Sequence, residues 1–587
     1  MGEVIDPTLV IFHAEAGEAE RLAEPGLRRV AAHYQGLAHE PLERRGWVGE
    51  RAGVACFTDP AFRCGWPAYS EDGGRALACG YVPVGWERLV GEREPALAAG
   101  ALASELLRRP ERAALELNSP VALALADAGD ERVVLLNDRL GAGRLYELAF
   151  PGGRVWSNRV GALALFSGAE VRPSEKGWAL FAANGWFMRE TTPLEGATKV
   201  PPASIVEIGP AGVSRRREAA AASVIEGSGD PLGEGADRVA RQAVETMRAA
   251  GALHSEPARI DLSGGRDSRV SAAAAIVAGI PAEFRTSDVN PGEADIAREL
   301  IAMAPGTHHH QIAYSGGEVK QRGTELRRRA LNAFLLHDGM RHAGKVRGRL
   351  QLPPPPARRA AISGHGGEIG HGFYYTNPRK LRQAREGGFD GMVERLLTSC
   401  RRTHSAAHPH VYELARAEFE ATLREGMEAG VTGPALLDWY YLMDRFAHRS
   451  GLASHTQRVT VFSTPAFLEA AFALTPEQRL DAALHREVTA RLVPGWAGVP
   501  YHAAKRGRRP SIRRRRIWEG PDGRSLRRLM RAEDCWHEIF DAKRVRRLLR
   551  RARLGRGRGE WEHVFERITY RVAFEDWATV IRRHQRG

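Results

Sequence analysis

At 587 residues the chain is too long for one ordinary domain, and roughly two to four are expected. Its 43% hydrophobic and 27% charged residues are typical of globular material, and no apolar run approaches the length of a membrane span. The net charge of +14 is local: residues 501–560 hold 21 Lys and Arg against 7 Asp and Glu, which accounts for all of it. A general nucleic-acid-binding coat is therefore not expected. The five cysteines (Cys56, Cys64, Cys79, Cys400 and Cys535) are scattered, odd in number and form no CxxC pair. They make no disulfide framework, and a reducing cytoplasm is the expected compartment. The opening MGEVIDPTLVIF has no basic segment followed by a long apolar one, so no secretory leader is expected.

In chain order, residues 1–217 read as short β-type runs between turns. Examples are 8–13, 54–57, 77–82, 121–126, 132–136, 145–150 and 204–208, with a helix over 95–107 whose proline sits in the tolerated first turn. This pattern predicts a layered α+β domain rich in antiparallel sheet. Residues 218–236, EAAAASVIEGSGDPLGEGA, read as a linker, and a helix follows from Asp237.

The second domain, 237–587, opens on ARIDLSGGRDSRVSAAAAIVAG. A short β run (259–262) breaks at the SGGRDS turn (263–268) and enters an alanine-rich helix (269–278). Helix N-terminal N–H groups and paired glycines form a ready anion site. A carboxylate beside a phosphate is costly unless a cation lies between them, so Asp267 points to Mg²⁺. The absence of Gly-Lys-Ser/Thr after the turn excludes the Walker pattern. A strand at 282–286, a helix from Glu293 and a strand at 308–314 continue a strand–helix alternation that predicts a doubly wound parallel sheet. That topology brings Thr286 and Ser287 beside the SGGRDS turn, as a nucleotide pocket. His308, His309 and His310 alternate faces in a strand and cannot converge on one ion. A second strand-to-glycine turn, AISGHGGEIGHGFYY (361–375), carries His365 and Glu368, and 436–480 reads as largely helical.

The SGGRDS turn resembles the SGGxDS pyrophosphate loop of ATP pyrophosphatases, and the chain as a whole resembles the asparagine synthetase superfamily. In the first domain Asp138, Gly141, Leu145, Tyr146, Pro201 and Pro202 match that family, while Asn158 replaces its usual Glu and Ala203 its usual Gly. In the second, Ser363, Gly364, Gly366 and Gly372 match the second signature, with Glu368 where the family has an aspartate. Asp444, Arg445 and Arg458 also match, whereas Thr456 replaces the glutamate of the β-lactam synthetase dyad.

The resemblance implies a degenerate Ntn-type, glutaminase-like α+β sandwich followed by an ATP-pyrophosphatase domain with ATP and Mg²⁺ as cofactors. It implies that Ser263, Gly264, Gly265, Asp267, Ser268, Thr286 and Ser287 bind nucleotide and that Asp267 and Glu368 bind metal. Lys505 would stabilise developing charge, and His365 would take the proton of the attacking amine. Gly2 stands where glutamine-using members carry the nucleophilic cysteine, so ammonia from glutamine is not expected.

The implied reaction is AMP-forming amide ligation. The favoured form is a lasso-peptide macrolactam cyclase that joins a core peptide's N-terminus to an Asp or Glu side chain. Its partners would be that peptide and a leader peptidase or leader-binding protein. The alternatives are an asparagine-synthetase-like enzyme using free or externally supplied ammonia, and a non-catalytic binding protein on the same fold. Most arginines of the run after Lys505 read as a solvated basic loop.

Overall fold

The computed structural model describes residues 6–62, 64–218, 229–287, 291–313, 325–347, 352, 358–403, 406–449, 458–502 and 516–586. The first domain holds two six-stranded sheets. One runs Thr198–Lys199, Tyr146–Phe150, Gly153–Ser157, Thr8–Ala14, Ala52–Thr58, Glu43–Val48. The other runs Gly212–Arg217, Ser204–Gly209, Arg132–Asn137, Ala122–Asp127, Arg75–Cys79, Tyr69–Asp72. All pairings in both are antiparallel.

The period-2 alternation of side chains decides the layering. In Thr8–Ala14, Leu9 and Ile11 enter a core shared by the two sheets, while Val10 and Phe12 face helices Ala19–Gln35 and Val160–Ser167. In Ala122–Asp127, Ala124 and Ala126 enter the shared core, while Leu123 and Leu125 meet helix Pro95–Arg108. The result is a helix–sheet–sheet–helix sandwich. Five strands escaped the sequence reading: Glu43–Val48, Tyr69–Asp72, Gly153–Ser157, Thr198–Lys199 and Gly212–Arg217. Four of them are sheet edges, where burial imposes no hydrophobic alternation.

Residues 219–228 of the expected linker lie outside the described residues, and helix Glu234–Ala252 begins before its expected end. Beyond it lies an all-parallel sheet in the order His309–Ala313, Ala282–Ser287, Ala258–Asp261, Ala361–Ile362, Arg458–Val459. The strand order runs outward one way, returns to the centre, then runs outward the other way. Right-handed crossovers therefore put the connections on opposite faces, with the switch point between Ala258–Asp261 and Ala361–Ile362. The fifth strand interrupts the stretch read as largely helical; its two residues are too short to carry a periodic signal.

The domains meet through buried polar contacts. Arg159 pairs with Asp338 at 2.8 Å and donates to the carbonyls of Leu335 and Leu336. Helix Trp561–Arg586 spans both domains. Arg567 donates to the Ala182 and Ala183 carbonyls, Arg582 to Val171, and Gln585 to Ala164 and Ala169. No helix among the described residues is long and apolar enough to cross a membrane.

Candidate active site

Two glycine turns leave the carboxyl ends of the strands flanking the switch point, and they touch. The first follows Ala258–Asp261. Helix Arg266–Ala278 starts earlier than the sequence suggested, so Arg266, Asp267 and Ser268 form its first turn. Its N-cap is Gly265, and no side chain caps it, which leaves the helix N-terminus open to an anion. The turn is braced from within. Ser268 Oγ accepts from the Ser263 N–H at 3.0 Å and lies 2.9 Å from Ser263 Oγ, which accepts from the Gly265 N–H at 3.1 Å.

The second turn follows Ala361–Ile362 and enters a short 3₁₀ turn, Gly367–Gly370. A Cβ on Gly364 would lie 2.5 Å from the Ser268 nitrogen, and one on Gly367 would lie 2.5 Å from Asp267 Cγ. These glycines therefore permit the contact between the two turns. Gly264 has a different neighbour: a Cβ there would meet His502 Cβ at 2.8 Å, and the His502 N–H bonds to the Gly264 carbonyl at 2.8 Å. Buried Arg269 anchors the same segment through the Val499 and Pro500 carbonyls and lies over the Tyr501 ring at 4.4 Å. The segment that leads to Lys505 thus docks on the SGGRDS turn. Lys505 itself lies outside the described residues, as does Thr456.

Asp267 sits between two histidines absent from the sequence reading. His485 Nε2 is 3.1 Å from Oδ1, and His371 Nε2 lies 3.3 Å from Oδ1 and 3.4 Å from Oδ2. Burial works against the Asp267 charge, but the adjacent imidazoles of His371 and His485 outweigh it and hold the carboxyl well below its usual range. Burial keeps His485 neutral, its fall in basicity opposed by Asp267. Despite the nearby imidazoles, Oδ1 is buried without a well-directed hydrogen bond. A lone pair remains for a cation, and one carboxylate with phosphate oxygens and water is an ordinary Mg²⁺ environment. Among the described residues no three acidic, histidine or cysteine side chains form a ready-made metal cage.

Glu368 is differently engaged. Its carboxylate accepts from the Gly366 N–H at 3.2 Å and lies near Tyr441, whose pKa is raised first by burial and then by the Glu368 charge. His365 is anchored by its backbone, its carbonyl accepting from Thr460 Oγ1 at 2.7 Å, and its ring lies beside Phe446. Its Nε2 is buried with no hydrogen-bond partner. Burial lowers its pKa; Glu368 opposes the shift, and Arg458, Arg341 and Arg449 reinforce it. The ring is neutral near pH 7, with a lone pair free to accept a proton.

Thr286 ends the neighbouring strand, but its hydroxyl is committed: it donates to the Leu262 carbonyl and lies 2.8 Å from His310 Nε2. His308 bonds to the Pro305 carbonyl, so two of the three consecutive histidines are occupied by local hydrogen bonds. Ser287 closes the same strand and is exposed. Between the domains lies a cavity of about 270 Å³, lined among others by Trp186, Tyr374, Tyr440, Arg445 and Arg449. The Arg445 guanidinium lies 4.4 Å from the centre of the Phe373 ring and 5.5 Å from that of Trp186.

No protein-family model and no curated protein matches the chain. Solved structures similar to part of it include the allosteric regulatory enzyme of purine biosynthesis, with TM-score 0.24 and 12% identity over 53% of this chain and 80% of that one. Another is glutamine phosphoribosylpyrophosphate amidotransferase from B. subtilis complexed with ADP and GMP, with TM-score 0.23 and 11% identity over 53% of this chain and 81% of that one. The reading of the site rests on its own residues.

Proposed function

We propose that the chain is an ATP-dependent amide ligase that forms AMP and pyrophosphate, and that its acceptor is a peptide which it closes into a macrolactam. The observation that carries this reading is the contact of two glycine turns at the switch point of a parallel sheet, with Asp267 between them and an uncapped helix N-terminus beside it. Ligands of open parallel sheets bind at that crevice, and the N-terminus of Arg266–Ala278 suits a pyrophosphate group.

In the first step a substrate carboxylate oxygen attacks the α-phosphorus of ATP. The bond from that phosphorus to the bridging α–β oxygen breaks, and pyrophosphate leaves with the bonding pair. In the second, an amine nitrogen attacks the acyl carbon, the carbon–oxygen bond to phosphate breaks, and AMP leaves. The proton lost by the amine goes to His365 Nε2, whose lone pair is unpartnered. Asp267 would hold Mg²⁺, which would offset phosphate charge; Glu368, which already accepts from the Gly366 N–H, would be its second carboxylate. Lys505 is assigned to the charge that develops at both steps. The arginine-lined cavity between the domains suits the carboxylate-bearing part of the acceptor.

The test is incubation of the protein with ATP, Mg²⁺ and linear peptides that carry an internal Asp or Glu. Loss of one water from the peptide together with AMP release supports the reading. ADP as product, or pyrophosphate release indifferent to peptide, removes it; asparagine formed from aspartate and ammonia redirects it to a free-ammonia ligase. His365→Ala is expected to slow amide formation by about 10²-fold while sparing ATP–pyrophosphate exchange. Equal loss of both steps excludes His365 as the proton acceptor.

A further inference from the structure

The proposed chemistry leaves the positive charge of the molecule without a use. Helix Gly520–Ala532 buries Leu526, Leu529 and Met530 and turns Arg524, Arg527, Arg528 and Arg531 outward. These four occur at i, i+3, i+4 and i+7, so they form one stripe along one face, about 10 Å long at 1.5 Å per residue. They line an open groove of about 400 Å³. The cations Arg524, Arg531 and Arg553 all act on Arg527, so the stripe repels itself.

Among the described residues only Arg528 has a carboxylate within ion-pair distance, Glu325 at 3.6 Å, and both side chains are largely exposed. Of the acids beside the helix, Asp522 pairs with Arg329 and Glu533 with Arg327, while Glu519 accepts from the Arg516 N–H. An exposed, self-repelling row of guanidiniums on a folded helix is stabilised when an anion settles on it.

We propose that this face is a docking surface for an acidic peptide segment, whose Asp and Glu side chains pair with the four arginines. Three observations favour a peptide over a nucleic acid. The positive excess is confined to residues 501–560, outside which the chain carries no net charge. The neighbouring aromatic residues Trp518, Trp536, Phe540 and Trp561 are all buried, so no stacking platform for bases accompanies the stripe. Finally, the stripe repeats at the spacing of carboxylates on one face of a helix. The inference is independent of the ligase reading, because it concerns binding without ATP.

The test uses the full chain and a fluorescent peptide rich in Asp and Glu, followed by anisotropy without nucleotide. The expected result is binding that weakens by about tenfold between about 50 and 200 mM salt. A further loss of at least about tenfold is expected in Arg527→Glu/Arg531→Glu, which removes two cations from the exposed face. Unchanged melting of that variant separates lost docking from lost folding, and Arg527→Lys/Arg531→Lys should restore part of the affinity. Absence of peptide binding, binding unaffected by the double reversal, or tighter binding of a single-stranded oligonucleotide of equal length would overturn the proposal.

Discussion

Asp138 and Asp267 are both aspartates at glycine-bearing turns, one in each domain, and their surroundings are opposite. Asp138 is fully buried and accepts hydrogen bonds from Ser119 Oγ and from the backbone N–H groups of Val121, Leu140, Ala142 and Gly143, at 2.6–3.1 Å. Its oxygens are filled by its own chain. Asp267 is approached by two imidazoles and keeps a buried oxygen without a directed donor. A carboxylate whose acceptor sites are all filled by the fold builds structure. One left unfilled next to an open helix N-terminus is available for chemistry.

Asp138→Ala orphans five donors and is expected to destabilise the protein by roughly 3–5 kcal/mol, read by denaturant unfolding. Asp267→Asn keeps the shape and should leave the unfolding midpoint nearly unchanged, while ATP–pyrophosphate exchange falls by about 10²–10³-fold. If Asp267→Asn unfolds the protein and Asp138→Ala does not, the assignment of the two roles is reversed.

A third aspartate sharpens the contrast. Asp444 accepts from Trp186 Nε1 and the Arg189 N–H across the domain boundary. Burial pushes its pKa up to about 6, against the hydrogen bonds from Arg189, Tyr440 and Trp186. Its folded value lies above the unfolded value of about 3.9, so the native state holds more protons between those limits. The Asp444 contribution to stability is therefore greatest below about pH 4 and declines as pH rises to about 6. Asp444→Asn should flatten that part of the stability profile, a change on the order of 2 kcal/mol visible in unfolding midpoints at pH 4 and pH 7.

The smallest effect concerns backbone alone. Ala203 has φ of +54°, where a methyl group is strained and glycine is not. Ala203→Gly is expected to stabilise the protein by up to about 1 kcal/mol in the same assay, with no effect on exchange of pyrophosphate.

Much of this was legible wherever burial leaves an apolar run in the sequence. Thr8–Ala14 and Ala122–Asp127 announce themselves because each strand contacts a core on both faces. Glu43–Val48, ERRGWV, does not, because it is an exposed edge held by pairing to Ala52–Thr58. The SGGRDS turn and its partner at Gly364 are local signatures. His485 carries no local signal: it reaches Asp267 because helix Ala483–Leu492 packs against Arg266–Ala278, a tertiary contact that no window of sequence contains. The same holds for Gly264. Its motif suggests room for phosphate, and its neighbour in the fold is His502.

The helix Trp561–Arg586 has a consequence in time as well as in space. Arg567 supplies the cap for the Ala182 carbonyl from 385 residues further along the chain. At about 5–20 residues per second, synthesis delivers that cap roughly 20–80 s after the helix it closes has emerged. Until then the end of helix Glu175–Asn184 lacks its guanidinium, and the first domain waits on the ribosome for a part encoded 385 residues downstream.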